Sequence, residues 1–256
     1  MTQVCAQVSP FCRLTLLLLA VAVTGCTSLN DSSAVPNPAS QQTLDKAIEQ
    51  YIRAHPEVIE QSLQELETKR ETAERARQKV ALANRQKELL HDASSPVSGN
   101  PNGQVTLIEF FDYRCGFCKR AAGAVTQLQK EDPSVRVVYK DFPILGEPSE
   151  LAAKAALSAN AQGKHQAFHE ALLATKNEMT RDELLRVAGE VGLDAKRLDT
   201  DMANPEWQTV IDRNRALARE LGISGTPGFI VGTELVPGAL DVKGLKDLIA
   251  RVKDGK

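Results

Sequence analysis

Val105-Thr106-Leu107-Ile108-Glu109-Phe110-Phe111-Asp112-Tyr113-Arg114-Cys115-Gly116-Phe117-Cys118-Lys119 is the stretch on which the fold turns. Val105 to Phe111 is an apolar, β-favouring run that fits a central strand. A C-x-x-C follows, and the pattern predicts that it opens a helix running to Glu131. Val135 to Tyr139 then reads as a second buried strand. Strand, helix and strand in that order imply a parallel pair joined by a helical crossover. At the start of such a helix Cys115 meets unsatisfied amide groups and the positive end of the dipole, both of which stabilise negative charge on sulfur. Cys118 lies one turn in, placed to close a small disulfide ring and to release a mixed disulfide by exchange.

Downstream, Glu150 to Gly222 reads as almost wholly helical. Thr180 with Glu183 has capping-box spacing, and Asn204-Pro205 opens another helix that closes at Gly222. Strands return at Gly228 to Val231 and Glu234 to Val236, and Val242 to Val252 forms a last amphipathic helix. The expected class is therefore α/β, a small domain over 94–256 whose halves are separated by a helical insertion at about 147–222. That length suits several packed helices rather than a loop.

Upstream, Ser94 to Gly103 is dense in turn formers and reads as the boundary of that domain. A helical arm is expected over 43–93. Leu44, Ile48, Tyr51 and Ile52 recur at helical spacing, His55-Pro56 interrupts, and nothing breaks the pattern from Pro56 to Leu90. Ile59, Leu63 and Leu66 make an apolar stripe, whereas the second half is mostly polar. Two readings stand: a stalk that self-associates through the stripe, or a solvated spacer.

The first residues read as targeting sequence. Arg13 is the only charge before Asp31, and Leu14 to Val23 is an apolar run shorter than a spanning helix requires, as in a secretory signal over 1–25. It ends in Val23-Thr24-Gly25-Cys26, which resembles a bacterial lipobox with Cys26 as the lipidated residue. Ordinary cleavage after Ala20-Val21-Ala22 is the other route. Residues 26–42 form a Ser/Pro/Asn-rich tether, and either route leads to an oxidising compartment. If Cys26 is acylated, the chain touches the membrane through lipid alone, and Thr27 in place of Asp favours the outer membrane by resemblance to lipoprotein sorting.

The chain has 256 residues, a formal charge of −2, and 25% charged against 42% hydrophobic residues, an ordinary globular balance with no electrostatic case for nucleic acid. Of 5 cysteines, Cys5, Cys12 and Cys26 fall in the first segment, so a disulfide-stapled scaffold and a four-cysteine zinc site are both excluded. Half of a mixed zinc site also lacks ligands. His165 and His169 share a helix face, but His165-Gln166-Ala167-Phe168-His169 lacks the catalytic Glu of a zincin, and both read as helix-surface or packing residues. No metal or cofactor is expected.

Four linked motifs carry a family resemblance: residues 109–119 around the C-x-x-C, Lys-Asp-Phe-Pro-Ile-Leu-Gly at 140–146, Phe-His-Glu-Ala-Leu at 168–172 and Gly-Ile-Ser-Gly-Thr-Pro-Gly-Phe at 222–229. From Ser94 to the C-terminus the sequence resembles the DsbA family of thioredoxin-fold proteins, and more narrowly its ScsC-like branch, whose N-terminal region the arm also resembles. The resemblance implies that Cys115 is the exposed nucleophile and Cys118 the resolving cysteine of a redox-active disulfide. It implies that Thr226 and Pro227 form a cis-proline element that pairs with substrate and keeps metals off the cysteines. Glu109 falls where the fold often buries an acid that exchanges a proton with Cys118; its other reading is a strand residue facing solvent. Phe117 and Tyr113 either form an apolar rim for unfolded substrates or pack.

Two departures bear on the direction of electron flow. Gly116-Phe117 stands where strongly oxidising relatives carry Pro-His, and Thr226 resembles the isomerase and reductase branches. The expected function is an exported thiol:disulfide oxidoreductase on protein cysteines, isomerase or reductase ahead of oxidase. A membrane redox partner and a homo-oligomer formed through the arm are expected. The rival is a redox-regulated binding or chaperone module whose cysteine pair holds Cu(I).

Overall fold

A computed structural model of the chain describes residues 38–253. The expected signal peptide, the lipidation site Cys26 and the tether as far as residue 37 lie outside the described residues. Helix α1 (Pro38–Ala54) begins inside the segment expected to be tether. Proline at a first helical position sacrifices no hydrogen bond, and no breaker follows before Thr43, whose Oγ1 donates to the Ala39 carbonyl at 2.9 Å. The His55 amide closes α1 on the Tyr51 carbonyl at 2.8 Å, and Pro56 leads into α2 (Glu57–Asn84). The helix expected to run unbroken to Leu90 instead stops at Arg85 and restarts as α3 (Gln86–Leu90). Arg85 turns its guanidinium onto Glu220 at 2.8 Å and 2.5 Å, a tie that anchors this joint.

The chain divides into two units, one ending at Gln61 and one beginning at Ser62. In the first, Leu44, Ile48, Tyr51, Ile52 and Ile59 are solvent-exposed. In the second, a five-stranded sheet has the order β1-β3-β2-β4-β5. The strands are β1 (Val97–Gly99), β2 (Val105–Phe111), β3 (Val135–Asp141), β4 (Gly228–Val231) and β5 (Glu234–Pro237). β2 and β3 pair in parallel across α4 (Gly116–Glu131), as the strand–helix–strand order requires, and the other pairs are antiparallel. Five helices follow β3: α5 (Glu147–Ala161), α6 (His165–Ala174), α7 (Arg181–Glu190), α8 (Ala195–Asp201) and α9 (Pro205–Glu220), and α10 (Val242–Lys253) is the last element among the described residues. Thr180 and Asn204 act as N-caps, accepting from the Glu183 and Glu206 amides.

Both faces of the sheet are covered, which is why β2 is apolar but for Thr106 and the buried Glu109. On one face Leu107, Phe111, Val137, Tyr139 and Phe229 pack with α4, α10 and the inserted helices. On the other, Ile108, Phe110, Val138 and Ile230 pack with Leu217, Ala218 and Leu221 of α9 and with Leu82 and Leu89. The last two correct the reading of residues 43–93 as an arm separate from the domain. Leu82 and Leu89 are fully buried, and the Gln78 side chain donates to the Leu221 carbonyl at 3.0 Å. The polar majority around them hid these two apolar residues, one on each side of the Arg85 joint, that cover the same face of the sheet. Lys140 secures the same joint from below: its buried ammonium donates to the Glu88 carbonyl at 2.6 Å and pairs with Asp92 at 3.0 Å.

The stretch expected as a boundary, 94–103, contains β1. Its turn formers flank the strand instead of replacing it, and Ser98 is buried with its Oγ 2.9 Å from the Tyr139 hydroxyl.

Candidate active site

The site sits where β2 hands over to α4. Asp112 shapes that turn. Its buried carboxylate accepts from the Arg114 amide at 2.7 Å and, with the other oxygen, from the Ile144 and Leu145 amides at 2.9 Å and 3.1 Å. One side chain thus ties the β2–α4 turn to the loop after β3. Cys115 is the N-cap of α4, in extended backbone conformation, and its carbonyl accepts from the Lys119 amide at 3.0 Å. The free amides of the first turn are therefore presented at its side.

Across from it, α9 ends at Gly222 in the left-handed region, φ +72, and the Ile223 amide reaches back to the Ala218 carbonyl at 2.8 Å. This stop delivers the Thr226-Pro227 peptide, which is cis, to the mouth of the site. The Cys115 thiol donates to the Thr226 carbonyl at 3.2 Å. Both cysteines are free thiols. Cys115 is 7% exposed and Cys118 is fully buried, so the expectation of an exposed nucleophile narrows to one sulfur that reaches solvent through a small opening. Burial, with the nearby Glu109 and Cys115, pushes the Cys118 thiol well up from its ordinary value.

Glu109 is buried on the same sheet face, Oε1 without a hydrogen-bond partner, and burial pushes its carboxyl up to about 8. The solvent-facing reading of this residue is thereby set aside. Phe117 is 57% exposed beside the site, with the Arg120 guanidinium stacked on its ring at 4.2 Å. Tyr113 packs: it is buried, its hydroxyl 3.0 Å from His169 Nδ1. His165 and His169 are packing residues too, buried and stacked with ring centroids 5.3 Å apart beneath Phe111, Tyr113 and Tyr139. Burial holds both imidazoles neutral, His165 down to about 3 and His169 well below its usual value.

Two acids escaped the sequence reading. Asp112 carried a legible signal, an Asx residue at a strand-to-helix turn. Asp141, the register partner of Phe111, is buried with neither oxygen partnered, and burial pushes it up to about 8. Its alternation with Val137 and Tyr139 places it on the Glu109 face of the sheet. Among the described residues no group of three or more His, Cys, Asp or Glu side chains stands where it could hold a metal ion.

A parallel β2–β3 pair, a dithiol capping the helix between them and a cis-proline facing that dithiol define a protein of the thioredoxin class. The helices inserted between β3 and β4 narrow the class, and the chain belongs to the family of the DSBA-like thioredoxin domain, whose signature matches residues 106–250. Solved relatives include a thioredoxin-like oxidoreductase from Silicibacter pomeroyi DSS-3, 46% identical over 66% of this chain and 97% of that one, TM-score 0.64. A linker-deleted mutant of ScsC from Proteus mirabilis is 25% identical, covering 88% of this chain and all of that one, TM-score 0.67. Among curated relatives, the Na(+)/H(+) antiporter NhaA 3 of Salinispora tropica is 31% identical over 151 residues, 58% of this chain and 23% of that protein. The chain thus matches about a quarter of the length of such relatives. No helix among the described residues is long and apolar enough to cross a membrane.

Proposed function

We propose that the protein exchanges thiols and disulfides with the cysteines of other proteins, and that it works as an isomerase or reductase ahead of oxidase. The observation that carries this reading is the Cys115 thiol 3.2 Å from the carbonyl of Thr226, beside the cis-proline, with Cys118 buried behind it. Cys115 thiolate attacks one sulfur of a substrate disulfide and expels the other as a thiolate, leaving a mixed disulfide. In reduction, Cys118 gives its proton to water or to the ionised form of Glu109 and attacks Cys115 sulfur, expelling the second substrate thiolate. The substrate gains two electrons and the pair becomes a disulfide. In isomerisation a substrate thiolate instead displaces Cys115, with no net electron transfer. Thr226 and Pro227 present backbone to the substrate, and Phe117 offers it an exposed apolar ring. Gly116-Phe117 between the cysteines lacks a thiolate-stabilising histidine, which favours the reducing side. A membrane redox partner would restore the dithiol.

The same reading places the protein on the periplasmic side of the cell envelope, lipidated at Cys26 and anchored to the outer membrane, on the strength of residues 14–26. The residues 94–256, with the insertion at 147–222, would form the catalytic domain together with the docked end of α2 and α3, and the arm before them would be a stalk for self-association. Supporting the stalk, Leu44, Ile48, Tyr51, Ile52, Ile59, Leu63 and Leu66 are all exposed in the single chain. Light scattering is expected to give a multiple of the chain mass for the wild type and a single chain for Ile59→Glu/Leu63→Glu. A monomeric wild type removes the stalk.

The activity is tested by reduction of insulin and refolding of scrambled ribonuclease, with glutathione supplying electrons. Wild type is expected to accelerate both and Cys115→Ser neither. Inactivity in both assays together with tight Cu(I) binding would establish the binding module instead.

A further inference from the structure

A groove of about 730 Å³ opens directly from the exchange site. Phe117, Thr226 and Pro227 form its catalytic end, the turns at 222–225 and 233–238 run beneath it, and Arg75, Gln78 and Lys79 of α2 close the far side. On the exchange reading this groove takes the substrate chain flanking the reacting cysteine, and we propose that α2, through Arg75, selects segments carrying carboxylates. The proposal rests on the thiol–disulfide exchange reading above and adds to it a substrate class and a wall from outside the thioredoxin fold.

Continuity identifies the occupant. A polypeptide whose sulfur is bonded to Cys115 Sγ must lay its neighbouring residues along Thr226 and Pro227, and the groove begins there. Its floor suits a main chain: a Cβ added at Gly225 or Gly238 would meet nothing within 4 Å, so the backbone stands open at both turns. Gln78 spends its amide on the Leu221 carbonyl and so fixes the distance between α2 and the loop rather than reading a ligand.

Charge sets the preference. Lys79 and Glu234 neutralise each other across the groove at 3.0 Å. Arg75 is left on the rim, 77% exposed, its contact with Glu71 at 3.6 Å a loose pair within one helix. At the catalytic end Arg120 is exposed, stacks on the groove residue Phe117 and makes no ion pair among the described residues. Among the described residues that line the groove Glu234 is the one acid, and Lys79 pairs with it; Glu74 of α2, which reaches toward Gly222, is paired with Arg77 at 3.1 Å. An acidic segment therefore meets the loosely held Arg75 on the α2 side and Arg120 beside Phe117, and a basic one meets repulsion from both.

The test uses the full chain and two self-quenched peptide disulfides of equal length, one with glutamates and one with lysines within a few residues of the cysteine. 4,4′-Dithiodipyridine, neutral and too small to reach α2, reports the thiol pair itself. Wild type is expected to show kcat/KM about fivefold higher for the acidic peptide, falling with added salt. Arg75→Glu should abolish or invert the ratio and Arg75→Lys should retain it. A ratio is insensitive to any general loss of activity in the variants. Equal kcat/KM for both peptides in a wild type that reacts with dithiodipyridine, or a ratio unmoved by Arg75→Glu, overturns the groove and leaves exchange standing. Failure to react with dithiodipyridine or either peptide overturns the exchange reading and this proposal with it.

Discussion

Cys118→Ser is expected to lower insulin reduction by about three orders of magnitude, the scale of losing one half of a covalent relay. Cys115 in this variant still attacks, because its opening, its helix N-terminus and the Thr226 carbonyl are untouched. What is lost is the thiolate that displaces the bound substrate. Mixed disulfides should therefore accumulate, visible as higher-mass bands on non-reducing gels that collapse with dithiothreitol. Scrambled-disulfide refolding should fall much less, since a substrate thiol can displace Cys115 unaided. Cys115→Ser should lose both activities and trap nothing, for the remaining Cys118 is fully buried and its thiol is pushed up by that burial. Persistence of insulin reduction in Cys118→Ser would remove the two-cysteine mechanism.

Glu109→Gln has a second large effect, and it is read in stability against pH. The buried carboxyl has its folded-state value at about 8 against 4.5 when exposed. Below pH 4.5 it is protonated in both states and contributes no penalty. As pH rises the unfolded chain releases the proton and the folded chain does not, so stability is lost up to about pH 8 and then levels. Between pH 4 and pH 7 the glutamine variant should gain on wild type by on the order of 3 kcal/mol. Denaturant titrations at the two pH values measure it. The same substitution should slow release of the trapped substrate roughly a hundredfold, the range for removing a positioned proton acceptor. An unchanged stability difference between pH 4 and pH 7 would mean that Glu109 is solvated, and its assignment to proton exchange would go with it.

Much of this was legible in the residues, and the reasons differ by element. β2 and β3 announced themselves because both faces are buried and most of their residues are apolar, with Glu109, Lys140 and Asp141 as buried exceptions. The redox pair was readable from a C-x-x-C that follows a strand and opens a helix, and the cis-proline only through the family resemblance of residues 222–229. Thr180 and Asn204 were readable as caps because a side-chain oxygen beside a free helical amide is a local matter. What was missed is tertiary. β1 is three residues among turn formers, and only its partner β3 makes it a strand. Leu82 and Leu89 are two apolar side chains in a polar helix, and only the sheet face they cover gives them meaning. Asp141 and Lys140 are neighbours in a strand with opposite fates, one orphaned and one latched, because alternate residues meet different faces. Patterns of single residues cannot carry that distinction.

The docking of Leu82, Leu89 and Lys140 bears on how this protein can be divided. The glycine- and proline-rich stretch near residue 100 looks like a seam at which a catalytic module could be lifted out and transplanted. A cut there would remove Leu82 and Leu89 from the cover of Ile108, Phe110 and Ile230 and leave Lys140 without either of its partners. The portable part begins further upstream, within α2. Fusions and swaps that respect the visible seam would therefore inherit an uncovered apolar face, which is an aggregation liability rather than a working enzyme.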